Sequence, residues 1–149
     1  MNRLTLMFLA FVGGALLATQ NGFNAQLGVI LKHPLYATLV SFLSSAVFAL
    51  IIIAVTLKGA PPSQHLKAVP VYLWFAGGLC TVAGLYLYYY TTPKIGISTM
   101  ITLGLCGQLI FSAIAGHFGW FNLPKQAIDL KTIFGMVSLI FGAVLITNR

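Results

Sequence analysis

The sequence predicts an all-α integral membrane protein with five transmembrane helices in a single domain covering residues 1–149. Three observations carry that prediction. Of 149 residues 59% are apolar and 6% charged, with a mean hydropathy of +0.97, outside the range of soluble domains. The apolar residues gather into five runs that can each cross the roughly 30 Å core of a bilayer. The eight Lys and Arg lie at the ends of those runs, and Asp129 is the sole carboxylate side chain.

The first run, 4–31, carries no charge and contains Thr-Gln-Asn-Gly-Phe-Asn-Ala-Gln at 19–26. At 1.5 Å per residue it is about 42 Å long, so it must tilt or bend, with Asn21-Gly22 the natural place. Its start, Met-Asn-Arg before apolar residues, has the outline of a secretory signal. Leu16, three residues before a cut after Ala18, is too large for such a site, and the apolar run continues beyond it. A retained first helix is expected. Lys32-His33-Pro34 ends the run, because proline disfavours helix in the residue before it.

The second run, 35–57, stops at Gly59-Ala60-Pro61-Pro62, which opens a polar loop reaching Pro70. The third, 71–92, begins with Tyr72 and Trp74 and closes with Tyr88-Tyr89-Tyr90, aromatic belts suited to the headgroup region. A short turn at Thr92-Pro93-Lys94 makes the third and fourth runs antiparallel neighbours. The fourth, 95–118, meets the interface at Trp120-Phe121. A loop with Pro124, Lys125, Asp129 and Lys131 leads to the fifth, 132–147, whose shortness requires Lys131 and Arg149 to snorkel.

An odd number of spans puts the two termini on opposite sides. The N-terminal side then holds five positive charges (Arg3, Lys58, Lys67, Lys125 and Lys131), and the other side three (Lys32, Lys94 and Arg149). A difference of two is a weak instruction under the positive-inside rule. It favours a cytoplasmic N-terminus yet permits insertion both ways round. Dual topology would let two identical chains pair head to tail, each a half-transporter in an antiparallel homodimer.

Net charge of +7 reflects missing acids, and no basic stretch is interleaved with exposed aromatics, so nucleic acid is not an expected partner. Cys80 and Cys106 read as free, buried thiols that are silent on redox compartment. No cofactor and no metal site are expected.

At about 100° per residue Gln20, Asn21 and Asn24 fall within a 100° arc, shared with Ala10, Gly13 and Gly28. Uncharged amides in hydrocarbon need partners, so this stripe faces something other than lipid. It reads as the lining of a substrate site, against the plainer reading of interhelical glue. Gly104, Gln108, Ser112 and Ala115 form a second stripe, on the fourth run, and Thr38, Ser41, Ser45 and Phe48 a third, on the second run. Membrane hydroxyls commonly bond their own backbone, so each Ser and Thr has that structural alternative. Gln108 does not, and a geometry with Gln108 facing Gln20 or Asn24 across a pocket is expected. Gly135, Ser138 and Gly142 give the fifth run a small-residue face, fit for helix packing or a dimer seam. The Tyr86 and Tyr88–Tyr90 cluster reads as an interfacial belt before a cation–π site, and His33 and His65 as solvated loop residues. His117, at the membrane edge, reads as helix-end packing before a titrating group.

Thr-Gln-Asn-Gly-Phe-Asn-Ala-Gln-Leu-Gly in the first helix and Pro-Leu-Tyr-Ala-Thr-Leu-Val-Ser-Phe-Leu in the second resemble the start of the YdcZ-type inner-membrane proteins. Gly-Gln-Leu-Ile-Phe-Ser-Ala-Ile-Ala-Gly-His-Phe-Gly-Trp-Phe-Asn-Leu-Pro resembles the end of that family's fourth helix, so the likeness covers nearly the whole chain. The family comprises short members of the bacterial drug/metabolite transporter superfamily, distant relatives of the small multidrug resistance proteins. The resemblance implies a multi-pass protein of the bacterial inner membrane that exports a small molecule. It also implies that Gln20 and Asn24 are the family's first-helix amides, Ser41 its second-helix serine, and Gln108 with Ser112 its fourth-helix pair. Ser45 stands where many relatives have glycine. Gly116 stands where an aspartate often precedes His-Phe-Gly, which removes a charge that a proton-linked role could use.

The function expected is small-molecule transport by alternating access, the antiparallel pair supplying the inverted repeat that many transporters hold in one chain. The substrate-binding set is Gln20, Asn21, Asn24, Ser41, Gln108 and Ser112. Gln20 cannot ionise, so the proton exchange that small multidrug resistance proteins run on a first-helix glutamate is not available there. A neutral, zwitterionic or weakly cationic cargo fits amides best. Uniport, or coupling through His117 or a backbone-coordinated ion, stays open. The alternative is a non-transporting subunit of a membrane complex. An enzyme is not expected: Ser112 and His117 lie on poorly matched faces, and Asp129 sits in a loop.

Overall fold

A computed structural model describes residues 2–57, 59, 63–122 and 124–148, and only the backbone of residues 63 and 65. Lys58, Ala60, Pro61, Pro62 and Arg149, used above for the end of the second run and for the charge count, lie outside the described residues, as does the side chain of His65. Six α-helices are described: α1 Arg3–Ile30, α2 Pro34–Thr56, α3 Ser63–Lys67, α4 Val71–Ile95, α5 Ile97–Phe118 and α6 Leu130–Thr147. All but the short α3 are long and apolar enough to cross a membrane. The chain forms two compact units, Met1–Lys94 and Ile95–Arg149.

In the first unit, α1 and α2 form a tight hairpin. α1 runs unbroken through Asn21-Gly22. It ends where Leu31 N–H donates to the Leu27 carbonyl at 2.9 Å and Lys32 turns to a φ of 57°. Proline then starts α2 instead of merely stopping α1. Pro34 occupies the first helical position, where its missing N–H costs nothing. His33 caps α2, its Nδ1 accepting from Leu35 N–H at 3.2 Å. The side chain expected to be merely solvated thus has a structural duty. At Gly28 the hairpin leaves room for no more than a methyl: a Cβ there would touch Pro34 Cα at 3.4 Å and the fully buried Ala37 methyl at 3.5 Å.

The expected turn at Thr92-Pro93-Lys94 is not a turn. α4 passes through Pro93 to Ile95. Proline removes one hydrogen bond from a helix, here that of the Tyr89 carbonyl, without ending it. The Thr91 and Thr92 hydroxyls donate to the Leu87 and Tyr88 carbonyls just before it, at 2.7 Å each. The joint to α5 is Gly96 alone, at φ 83° and ψ 152°, a conformation essentially restricted to glycine.

In the second unit, α5 packs against α6. α5 ends at Gly119, in the left-handed conformation with φ 67°. A single 3₁₀ turn, Trp120–Asn122, follows. The Gly116 carbonyl accepts from Gly119 N–H at 3.2 Å and from Gln126 N–H at 2.9 Å, tying the following loop to the helix end. Asp129 starts α6 two residues before the expected boundary. One of its carboxylate oxygens accepts from both the backbone N–H (2.8 Å) and the hydroxyl (2.6 Å) of Thr132. Those bonds, the hydroxyl's foremost, hold the Asp129 carboxyl below its ordinary range. Cys80 is exposed and Cys106 half-exposed, so the thiols expected to be buried face the surroundings of the chain.

Candidate functional site

The first unit brings together four of the six expected substrate-binding residues. Ser41, on α2, is the shared acceptor: its hydroxyl oxygen receives Gln20 Nε2 at 3.3 Å and Asn24 Nδ2 at 3.1 Å. The second Asn24 hydrogen goes to the Tyr89 hydroxyl of α4, at 3.0 Å. Asn21 Nδ2 donates to the Thr92 hydroxyl, also on α4, at 3.0 Å. The first-helix arc therefore meets α2 on one side and α4 on the other. In all four contacts the amide nitrogen is the donor.

Burial grades along this arc. Gln20 and Asn24 are half-buried, whereas Asn21 and Ser41 are only 5% and 4% exposed. The Asn21 Oδ1 is buried with no hydrogen-bond partner. Gly13, placed on the same arc, has open space where a Cβ would project, so the stripe is a contact only toward the C-terminal part of α1.

Ser41 departs from the backbone-bonded alternative, since both amides converge on it. Other hydroxyls follow that alternative: Thr38 donates to the Pro34 carbonyl, Ser44 to that of Ser41, and Ser112 to that of Leu109. Ser45 and Phe48 are exposed.

Tyr89 and Thr92 complete the cluster, and the sequence reading placed both elsewhere. Tyr89, expected in a headgroup belt, is 1% exposed and bonded to Asn24. Thr92, expected in a turn, is a buried helical residue. Tyr90 is instead 44% exposed and stacks on Tyr86 with centroids 6.0 Å apart. Lys94 Nζ stands 3.4 Å from the Tyr90 ring centroid, so this tyrosine also makes the cation–π contact set second above.

Gln108 and Ser112 belong to α5 in the second unit, and both are exposed. Ser112 lines a cavity of about 360 Å³ with Phe111, Trp120, Phe121 and Gln126. Phe111 and Trp120 have ring centroids 6.1 Å apart, Phe111 and Phe121 6.3 Å. This aromatic cleft was not anticipated, although Trp120-Phe121 was read as interfacial. His117 is exposed at the end of α5, its ring edge-on to the adjacent Phe118 with centroids 5.2 Å apart. Among the described residues no three His, Cys, Asp or Glu gather as metal ligands.

Over residues 5–145 the chain matches the model of a family described as "Putative inner membrane exporter, YdcZ". No curated protein and no solved structure matches it.

Proposed function

The chain belongs to this YdcZ family of inner-membrane exporters, and from that premise we propose that it carries a small molecule by alternating access, as an antiparallel homodimer, with the amide cluster as its substrate site. It is a multi-pass protein of the inner membrane, and its five spanning helices contact the lipid bilayer. One observation carries the substrate reading: Gln20, Asn21 and Asn24 converge on the hydroxyls of Ser41, Tyr89 and Thr92 without any carboxylate. Half-buried amides held through their nitrogens keep carbonyl oxygens for a cargo. Such a site suits a neutral, zwitterionic or weakly cationic molecule. Gln108 and Ser112 enter the reading as further substrate-binding residues.

Two features support pairing of chains. The most apolar stretch of α4 buries none of its residues within the chain. On α6, a Cβ added at Gly135 or Gly142 would meet nothing within 4 Å. The buried residue of α6, Ala143, lies about 80–140° around the helix from Gly135, Ser138 and Gly142. The space beside both glycines leaves room for a partner helix, as a dimer seam requires.

The test begins with purified protein and a small-molecule screen read by melting temperature, followed by flux of each stabilising compound into proteoliposomes. Gln20→Ala and Asn24→Ala should abolish flux while the protein stays folded in detergent, and Gln108→Ala and Ser112→Ala should reduce it. Undiminished flux in the first two would make the cluster packing only, and no flux through the purified protein would favour the accessory-subunit alternative. Tags at both termini should be reachable from both sides of the membrane. A single orientation removes the antiparallel pair.

A further inference from the structure

The Asn21 Oδ1 is the odd atom of the cluster. It is an amide oxygen on a residue 95% shielded from its surroundings, and no donor reaches it. Native proteins rarely leave such an acceptor without a partner. The orientation of the amide follows from its neighbour. Thr92 has one hydroxyl proton, which goes to the Tyr88 carbonyl at 2.7 Å. The Thr92 oxygen can then only accept, so Asn21 must present its nitrogen there and turn Oδ1 away. Three neighbouring hydrogens go elsewhere: both on Asn24 Nδ2 are given to Ser41 and Tyr89, and the Thr91 hydroxyl donates to the Leu87 carbonyl.

A second acceptor lies on the same turn. Pro93 has no N–H, so the Tyr89 carbonyl lacks the donor four residues on that an α-helix normally supplies. The carbonyl of a helical residue lies beneath the residues three and four ahead, so the Tyr89 oxygen sits under Thr92, on the turn that Asn21 contacts. This turn also belongs to the C-terminal end of α4, whose last carbonyls carry the negative end of the helix dipole. Two oxygens at this turn thus lack the donor each would normally have.

We propose that Asn21 Oδ1, the Tyr89 carbonyl and the Thr92 hydroxyl oxygen form a site for a monovalent alkali cation, sodium being the probe. Neutral oxygen ligands suit a hard cation. The absence of a carboxylate in the first unit limits the charge to one, because a dication would need compensating anions. Lys94 does not fill the place. Its ammonium lies over the Tyr90 ring, and two residues of helix put that face about 200° from Thr92. Such an ion would supply the coupling that the uncharged amides cannot. That role rests on the transport reading, whereas binding of the ion does not.

The test is the melting temperature of the purified full chain, titrated with sodium or potassium chloride against choline chloride at constant ionic strength. Sodium should raise it by about 4 °C at ten times its Kd. Pro93→Ala gives the Tyr89 carbonyl its N–H, and should melt no lower than the unaltered chain while losing at least half of the sodium shift. Asn21→Asp should lower the half-saturating sodium concentration about tenfold or more. Equal melting in sodium, potassium and choline overturns the site and leaves a structural water on Asn21. An unaltered sodium response in Pro93→Ala overturns it too. Because no flux is measured, a failure here leaves the transport reading standing, and the converse also holds.

Discussion

Replacing Asn24 by alanine and Tyr89 by phenylalanine, singly and together, measures what ties α1 to α4. Asn24 spends one hydrogen on Ser41 at 3.1 Å and the other on Tyr89 at 3.0 Å. Side-chain bonds between helices in a membrane protein are worth about 0.6 kcal/mol on average, and at most about 1.7. Losing both costs about 1.2 kcal/mol. Tyr89 is only 1% exposed, so its hydroxyl then lacks this donor in a dry place, a further penalty of about 1–3 kcal/mol. Asn24→Ala should therefore destabilise by roughly 2–4 kcal/mol. Tyr89→Phe keeps the ring and removes one bond, for about 1 kcal/mol. In the Tyr89→Phe background no hydroxyl is stranded, and Asn24→Ala becomes cheaper by about 1–2 kcal/mol, which is the coupling of the pair. Reversible unfolding in mixed detergent micelles, followed by circular dichroism, gives the four free energies. A coupling under about 0.3 kcal/mol, within the error of additivity, would refute the claim that this contact joins the helices.

Three further outcomes follow from the same geometry. Ser41→Ala removes the acceptor shared by Gln20 and Asn24; it should lower stability by about 1–2 kcal/mol, whereas Ser45→Ala, at an exposed position, should stay within about 0.5 kcal/mol in the same unfolding assay. Asp129→Asn should lower the melting temperature at neutral pH and flatten its acid dependence. The Asp129 carboxyl is held below its unfolded value by Thr132, so its contribution is present above that unfolded value and lost as pH falls through the folded one. Gly28→Leu should open the α1–α2 hairpin, since a Cβ already meets Pro34 at 3.4 Å; a cysteine crosslink between the helices, efficient in the parent, should fail in the variant.

Hydropathy made the five spans legible, because a helix in lipid must be long and apolar whatever it packs against. The first-helix arc was legible too, since three amides in hydrocarbon stand out as a local anomaly. Tyr89 and Thr92 were not. Their partners are 65 and 71 residues away, and nothing in a tyrosine triplet tells the buried ring from its two neighbours. Pro93 misled for a different reason. Its preference for ending helices is a local backbone property, whereas the contacts that α1 makes with the preceding turn, at Tyr89 and Thr92, are long-range.

Gly96 leaves a signature on inheritance. Exposed apolar positions on α4 and α5, such as Leu87 and Leu103, can exchange one greasy side chain for another with little effect, yet at this joint even a methyl group clashes with the chain's own backbone, though the surrounding space is open. In a saturation-mutagenesis library, codon 96 should therefore tolerate far less than those exposed positions. Drift could rewrite much of both helices before it could recode that single achiral link.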